Sequence, residues 1–230
     1  MTVQEFSNEF DVLLNSFAAA TPFEFTTDIL SLDEYEKSVF LTEAQEQIVK
    51  ELYNGTFTGE SLEKTEELRR GLNSLIKTAN LTQTTGISIG STSYFFELSD
   101  DVWFIIYESV ELKDGPICKD NKILRVVPMR HDEWHKIKDN PFKGPNERQA
   151  IRLDSGEHTV EIVSRFPIQK YLIRYLSKPT PIILTPLEGE VAIEGLQTIT
   201  ECKLNSALHR VILERAVQLA MRRFPQLASK

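Results

Sequence analysis

Ser93-Tyr-Phe-Phe-Glu-Leu98 and Val102-Trp-Phe-Ile-Ile-Tyr-Glu-Ser-Val-Glu-Leu112, separated by Ser99-Asp100-Asp101, decide the fold class of this chain. Aromatic and β-branched side chains crowd both runs, and the polar triplet between them is turn chemistry, so two strands are predicted. Working outward, Ile123-Leu-Arg-Val-Val127 reads as a strand closed by Pro128. Ala150-Ile-Arg-Leu-Asp154 and His158-Thr-Val-Glu-Ile-Val163 flank Ser155-Gly156-Glu157, which predicts a hairpin. Lys170-Tyr-Leu-Ile-Arg-Tyr-Leu176 and Pro181-Ile-Ile-Leu184 complete a mainly antiparallel sheet of about six to eight strands.

Before about Thr82 the apolar period is helical. Thr2-Val3-Gln4-Glu5 is a capping box, and Val3, Phe6, Phe10, Leu13 and Phe17 follow in steps of three and four. This helix is predicted from Thr2 to Phe17 and ends at Ala18-Ala19-Ala20-Thr21-Pro22, with Phe23-Glu24-Phe25-Thr26-Thr27 extended after it. Ser31 or Asp33 can cap a brief helix. Thr42 with Gln45 forms a second capping-box pattern before Ala44, Ile48, Leu52 and Tyr53, and Gly55 is the stop. Gly59-Glu60-Ser61 opens a further helix striped by Leu62, Leu68, Leu72, Leu75 and Ile76. Gly71 inside it costs about 1 kcal/mol relative to Ala.

The chain closes in a helix from Asn205 to Phe224, with Leu208, Val211, Ile212, Ala216 and Leu219 on its apolar face. Arg222 and Arg223 suit its C-terminal dipole, and Pro225 is expected to stop it. Helices, then strands, then a helix argue α+β and against a parallel βαβ sheet. The expected division is a helical N-terminal region, 1–80, carrying an interaction arm at 1–22, and a β-rich body, 81–230, that includes the C-terminal helix 205–224.

With 41% hydrophobic and 26% charged residues, the 230-residue chain has the composition of a folded protein. Cys118 and Cys202 make neither a disulfide framework nor a four-ligand zinc site, which fits folding in a reducing cytoplasm. No apolar run approaches the ~20 residues that span a bilayer, and the N-terminus lacks the pattern of a signal peptide. The net charge of −8 hides an asymmetry: residues 1–67 hold 15 Asp/Glu against Lys37, Lys50 and Lys64, or −12, and the remainder carries +4. An acidic end on a mildly basic body suits subunits that attract head to tail.

Chemistry is sparse. In His131-Asp132-Glu133-Trp134-His135 the two histidines share a helical face, yet Glu133 falls opposite it, where it cannot serve as the base of a zinc hydrolase. There is no Gly-x-Ser-x-Gly elbow, and Gly86-Ile-Ser-Ile-Gly90 lacks the Lys of a phosphate loop. No metal, cofactor or catalytic residue is expected. A basic stretch, Lys119, Lys122, Arg125, Arg130, Lys136, Lys138, Lys143, Arg148 and Arg152, has Trp134 and Phe142 interleaved. Asp120, Asp132, Glu133, Asp139 and Glu147 dilute it, so tight DNA binding is not expected of an acidic chain.

Glu5-Phe-Ser-Asn-Glu-Phe-Asp-Val-Leu-Leu-Asn-Ser16 and the run from Leu32 to Gly55 resemble the opening of virion structural proteins of crAss-like tailed phages. His131-Asp-Glu-Trp134, Asn140-Pro-Phe-Lys-Gly-Pro145 and Leu208-His-Arg-Val-Ile-Leu-Glu-Arg-Ala-Val-Gln-Leu-Ala220 are similar to segments of their portal-vertex ring and connector proteins. The resemblance implies a non-enzymatic virion protein, assembled in the host cytoplasm, that forms a dodecameric ring between portal and tail and helps retain packaged DNA. The partners it implies are further copies of the chain, the portal protein, tail or other ring proteins, and packaged DNA in passing, with no membrane. The stripe Val3, Phe6, Phe10, Leu13 and Phe17 is the expected partner interface. A head-decorating or fibre-attaching virion protein, or a metal-dependent hydrolase at His131 and His135, are the alternatives.

Overall fold

The computed structural model describes residues 1–20, 32–55, 70–86, 92–113, 123–189 and 191–227. The expected extension at 23–27, the helix start at 59–61 with Leu62 and Leu68, the segment 87–90, Cys118, Lys119 and Lys122 fall outside these residues. Two compact units emerge, Met1–Leu75 with Pro179–Lys230, and Ile76–Lys178. The C-terminal helix thus belongs with the N-terminal helices, a different division from a boundary at residue 80. Its apolar face finds helical partners, and each sheet strand finds its neighbours inside 76–178. Among the described residues no helix is long and apolar enough to cross a membrane.

The helical unit holds α1 (Val3–Ala20), α2 (Glu34–Asn54) and the C-terminal helix, α4 below, Ser206–Leu227. The first capping box forms: Thr2 N donates to Glu5 Oε2 at 2.8 Å, and Glu5 N to Thr2 Oγ1 at 3.3 Å. Asp33 and Glu36 build the second box at the start of α2, and Gly55 closes that helix in the left-handed region at φ 70°. Thr42 and Gln45 therefore do not begin a helix. Both sit buried inside one continuous α2, and their side chains turn to the segment 180–182. Ile182 N donates to Thr42 Oγ1 at 3.1 Å, and Gln45 Nε2 to Thr180 O at 2.8 Å. Leu184 N likewise donates to Ser38 Oγ at 3.0 Å.

These bonds explain why Pro181–Leu184, expected as a strand, is not part of the sheet. Pro179 and Pro181 lack the N–H that a ladder needs, and polar side chains of α2 satisfy the buried backbone instead. Ile183 keeps only an isolated bridge to Thr200. Gly71, a liability on propensity grounds, has a packing reason: a Cβ there would lie 2.8 Å from Leu208 Cδ1. α4 continues through Pro225 to Leu227 rather than stopping at it. A proline that late can disturb only the final turn.

Among the described residues the sheet unit has eight strands: β1 (Ile76–Leu81), β2 (Gln83–Thr84), β3 (Ser93–Glu97), β4 (Val102–Leu112), β5 (Ile123–Pro128), β6 (Gln149–Asp154), β7 (Thr159–Val163) and β8 (Ile168–Ser177). Their order is β1-β8-β4-β5-β6-β7-β3-β2. All neighbours are antiparallel except β5 and β6, whose connection carries α3 (His131–Ile137). The hairpin at 155–157 joins β6 to β7 as expected, with Ser155 N bonded to Thr159 O at 3.0 Å. Ile76 opens β1 instead of continuing a helix, which ends in a single tight turn at Asn73–Leu75. Along β8, β4 shifts register three times, and such bulges bend a strand and deepen its twist. The chain is α+β, with helices leading, a mainly antiparallel sheet, and a terminal helix.

Candidate interaction surfaces

Three places collect the residues singled out in the sequence: helix α1, the region from α3 to β6, and the wall formed by α2 and α4. On α1, Phe6 and Phe10 are fully buried within the chain's own helical unit, and so is Leu14, the next step of four. Val3 and Leu13 are half-buried, whereas Phe17 and Val12 are exposed. Lys37 of α2, buried at 3% exposure, reaches Asp11 Oδ2 at 2.7 Å and Glu34 Oε1 at 3.0 Å, and donates to Ser7 Oγ at 3.2 Å. Burial alone would lower the Lys37 pKa, but hydrogen bonds to the two carboxylates carry it above the ordinary lysine value. A charged clasp therefore fastens α1 to α2. Leu14 was legible in the Phe6, Phe10, Leu14 spacing, but the adjacent Leu13 obscured it. Ser7 and Asp11 carried no sequence signal for this role.

Phe6 also stacks, tilted, on His209 of α4, with ring centroids 5.3 Å apart. His209 Nε2 lies 2.9 Å from Leu204 O, and Nδ1 lies 2.8 Å from the Met1 ammonium. The ring is therefore neutral, donating through Nε2 and accepting at Nδ1. Burial pushes the His209 pKa below the usual histidine value; the Leu204 carbonyl opposes this and the ammonium adds to it. The unfolded chain accepts a proton at about pH 6.5, where the folded chain still refuses it. Stability supplied by neutral His209 is thus complete above that pH and declines as pH falls toward the lower folded value. The thermal midpoint should drop between pH 7 and pH 5, and less so in His209→Gln. An equal drop in both proteins would exclude His209 as the cause.

α3 places the His-Asp-Glu-Trp-His segment on the sheet. Trp134 is buried against Ile151, Leu153 and Val163. His131 Nε2 is 2.7 Å from Asp154 O, and His135 is exposed. Among the described residues no three His, Cys, Asp or Glu side chains are grouped to hold a metal. Cys202 bonds to Gln45 Oε1 at 3.3 Å, and burial pushes its thiol up to about 11, far from a thiolate nucleophile at neutral pH.

The described members of the basic stretch have different surroundings. Arg152 is half-buried, with Nη1 at 2.6 Å from Glu108 Oε1; Tyr171 Oη donates to Glu108 Oε2 at 2.6 Å. Arg130 pairs with Asp132 at 3.2 Å, and Arg125 bonds to Gln149 at 3.3 Å. Lys136, Lys138, Lys143 and Arg148 are exposed. Beyond α3, the loop 140–146 carries Phe142 at 86% exposure.

On the helical unit, Leu32, Tyr35, Glu36, Val39, Phe40, Ala220 and Arg223 line a cavity of about 300 Å³. Arg223 sits over the Phe40 ring at 5.2 Å and pairs with Glu43 at 2.8 Å, rather than merely facing the end of its helix.

These features are buried apolar contacts, ion pairs and an exposed aromatic loop. Over 96% of its length the chain is 46% identical to "Ring protein 3" of Bacteroides phage crAss001, covering 95% of that protein. To "Ring protein 4/5" of the same phage it is 35% identical, over 96% of this chain and 92% of the relative. Residues 1–230 match the family described as phage tail ring protein 3/4, and the chain belongs to that family of phage structural ring proteins.

Proposed function

We propose that this protein is a non-enzymatic virion component that closes into a ring, twelvefold, at the portal vertex, joins head to tail and helps to retain packaged DNA. The observation that carries the reading is the full-length match to tail ring proteins. Its partners are further copies of itself, the portal protein and neighbouring ring or tail proteins. The imbalance of −12 on residues 1–67 against +4 on the rest supports attraction between successive subunits. Exposed Lys136, Lys138 and Arg148 suit a passing contact with packaged DNA. Any arm role for α1 rests on its exposed face, Val12 and Phe17, because Phe6 and Phe10 are seated in cis.

Imaging intact virions with averaging about the tail axis tests the reading. The expected result is a ring of this chain at the portal vertex, with twelve copies. Finding it instead over the head surface or on fibres would overturn the reading in favour of a decorating protein.

A further inference from the structure

Phe142 is the most exposed large apolar side chain among those described, yet its loop is held tightly. Asn140 Oδ1 accepts from Phe142 N at 2.9 Å and from Lys143 N at 3.1 Å. Gln149 Nε2 donates to Lys143 O at 2.9 Å and to Gly144 O at 3.1 Å. Asn146 Oδ1 accepts from Arg148 N at 2.8 Å, closing the exit of the loop. Gly144 is buried, and a Cβ there would lie 2.7 Å from Asn140 O and 2.8 Å from Ile137 O. A loop braced in this way presents its phenyl ring without the ordering cost that a loose loop incurs on docking.

The helical unit offers the complementary shape. Its cavity of about 300 Å³ has apolar walls from Tyr35, Val39, Phe40 and Ala220, with Glu36, one oxygen of which accepts from Asp33 N at 3.2 Å, and Arg223, paired with Glu43, also among its lining residues. A protein cavity of about 150 Å³ already accepts benzene, so a phenyl ring fits with room to spare. Lys143, next to the knob, is a cation, and Glu36 at the cavity is an anion. A closed ring of identical chains needs heterologous contacts, in which one surface of each copy meets a different surface of the next. A protruding aromatic with a neighbouring cation, and a largely apolar hole flanked by Glu36 and by an Arg223 already paired with Glu43, both on one chain, meet that need.

We propose that Phe142 of one subunit inserts into the Tyr35–Phe40–Arg223 cavity of the next copy, with Lys143 pairing to Glu36. This rests on the ring reading above. It predicts that Phe142→Asp, exposed in the isolated chain, melts like the unmodified protein but enters particles about tenfold less well or worse, as loss of an aromatic anchor would require. Phe142→Trp should retain entry.

The contact itself is tested in virions from cells complemented with full-length chain carrying Cys118→Ala and Cys202→Ala. Lys143→Cys and Glu36→Cys are added singly or together, and the particles are treated with a short bismaleimide. The double variant should give a ladder of covalent dimers, trimers and larger species, with no ladder from either single variant. If the chain sits in a ring at the tail yet gives no ladder, or links only to a virion protein of different mass, the proposal fails and the ring reading stands. If Phe142→Asp enters normally and only DNA retention suffers, the knob faces DNA and the proposal fails. If the chain is absent from the portal-tail region, the ring reading fails and the contact falls with it.

Discussion

Phe10→Ala should destabilise the protein by about 3–5 kcal/mol, the range for a buried aromatic truncated in a core that only partly collapses. Phe10 is fully buried on α1, between Phe6 and Leu14, which are equally enclosed. For a chain of this size that corresponds to a fall of roughly 10 °C in the thermal midpoint. Phe10→Asp should be worse, because it adds an unpaired charge to an apolar site. Val12→Ala, at an exposed position on the same helix, should change stability by no more than about 0.5 kcal/mol. If Phe10→Asp melts like the unmodified protein, α1 is not docked as described, and its whole stripe becomes available to a neighbour.

The second large effect concerns the ion pair in the sheet. Glu108 of β4 and Arg152 of β6 have side chains only 7% and 13% exposed and meet at 2.6 Å, with Tyr171 of β8 bonded to the same carboxylate. Burial pushes the Glu108 carboxyl and the Tyr171 hydroxyl upward, and Arg152 counters the first shift by stabilising the carboxylate. Arg152 Nε also lies 3.1 Å from Asp154 Oδ1. Removing one partner leaves a charge with no counterion, so Arg152→Met should lower the unfolding free energy by about 3–5 kcal/mol in urea titrations. Replacing the group together, as Glu108→Leu, Arg152→Met and Tyr171→Phe, should recover most of that loss, since apolar residues of similar size tolerate such a site. A triple variant no more stable than Arg152→Met would show that the network contributes more than mutual neutralisation.

Local signals were readable in the chain, and pairings between distant segments were not. Thr2 with Glu5, Gly55 and the 155–157 hairpin each depend on neighbours in sequence, and each formed as read. Thr42 and Gln45 misled because the hydroxyl and amide that can cap a helix can also satisfy a distant buried backbone, here 180–182. Pro181–Leu184 has the apolar content of a strand, and only the partners of its amides reveal that it is not one. β1, Ile-Lys-Thr-Ala-Asn-Leu, lacks a clean alternation because much of it is exposed. The placement of β5 beside β6, in parallel, has no local signature at all. Of the candidate surfaces, Phe142 was visible only as an aromatic among basic residues. Its exposure and the bracing by Asn140, Asn146 and Gln149 required the fold.

The helical unit is assembled from both ends of the chain, whereas the sheet unit is continuous. On the ribosome this sets a schedule. Ile76–Lys178 is complete, and able to pair its strands, before the α4 residues that cover α1 and α2 have been translated. At about 5–20 residues per second, the early helices wait about 8–30 seconds for that partner. Throughout the interval Phe6, Phe10 and Ile48, all buried in the finished unit, lack the helix that packs on α1 and α2. Synthesis of α4 closes the helical unit, so a chain that stops before Ser206 lacks the helix that packs on both α1 and α2.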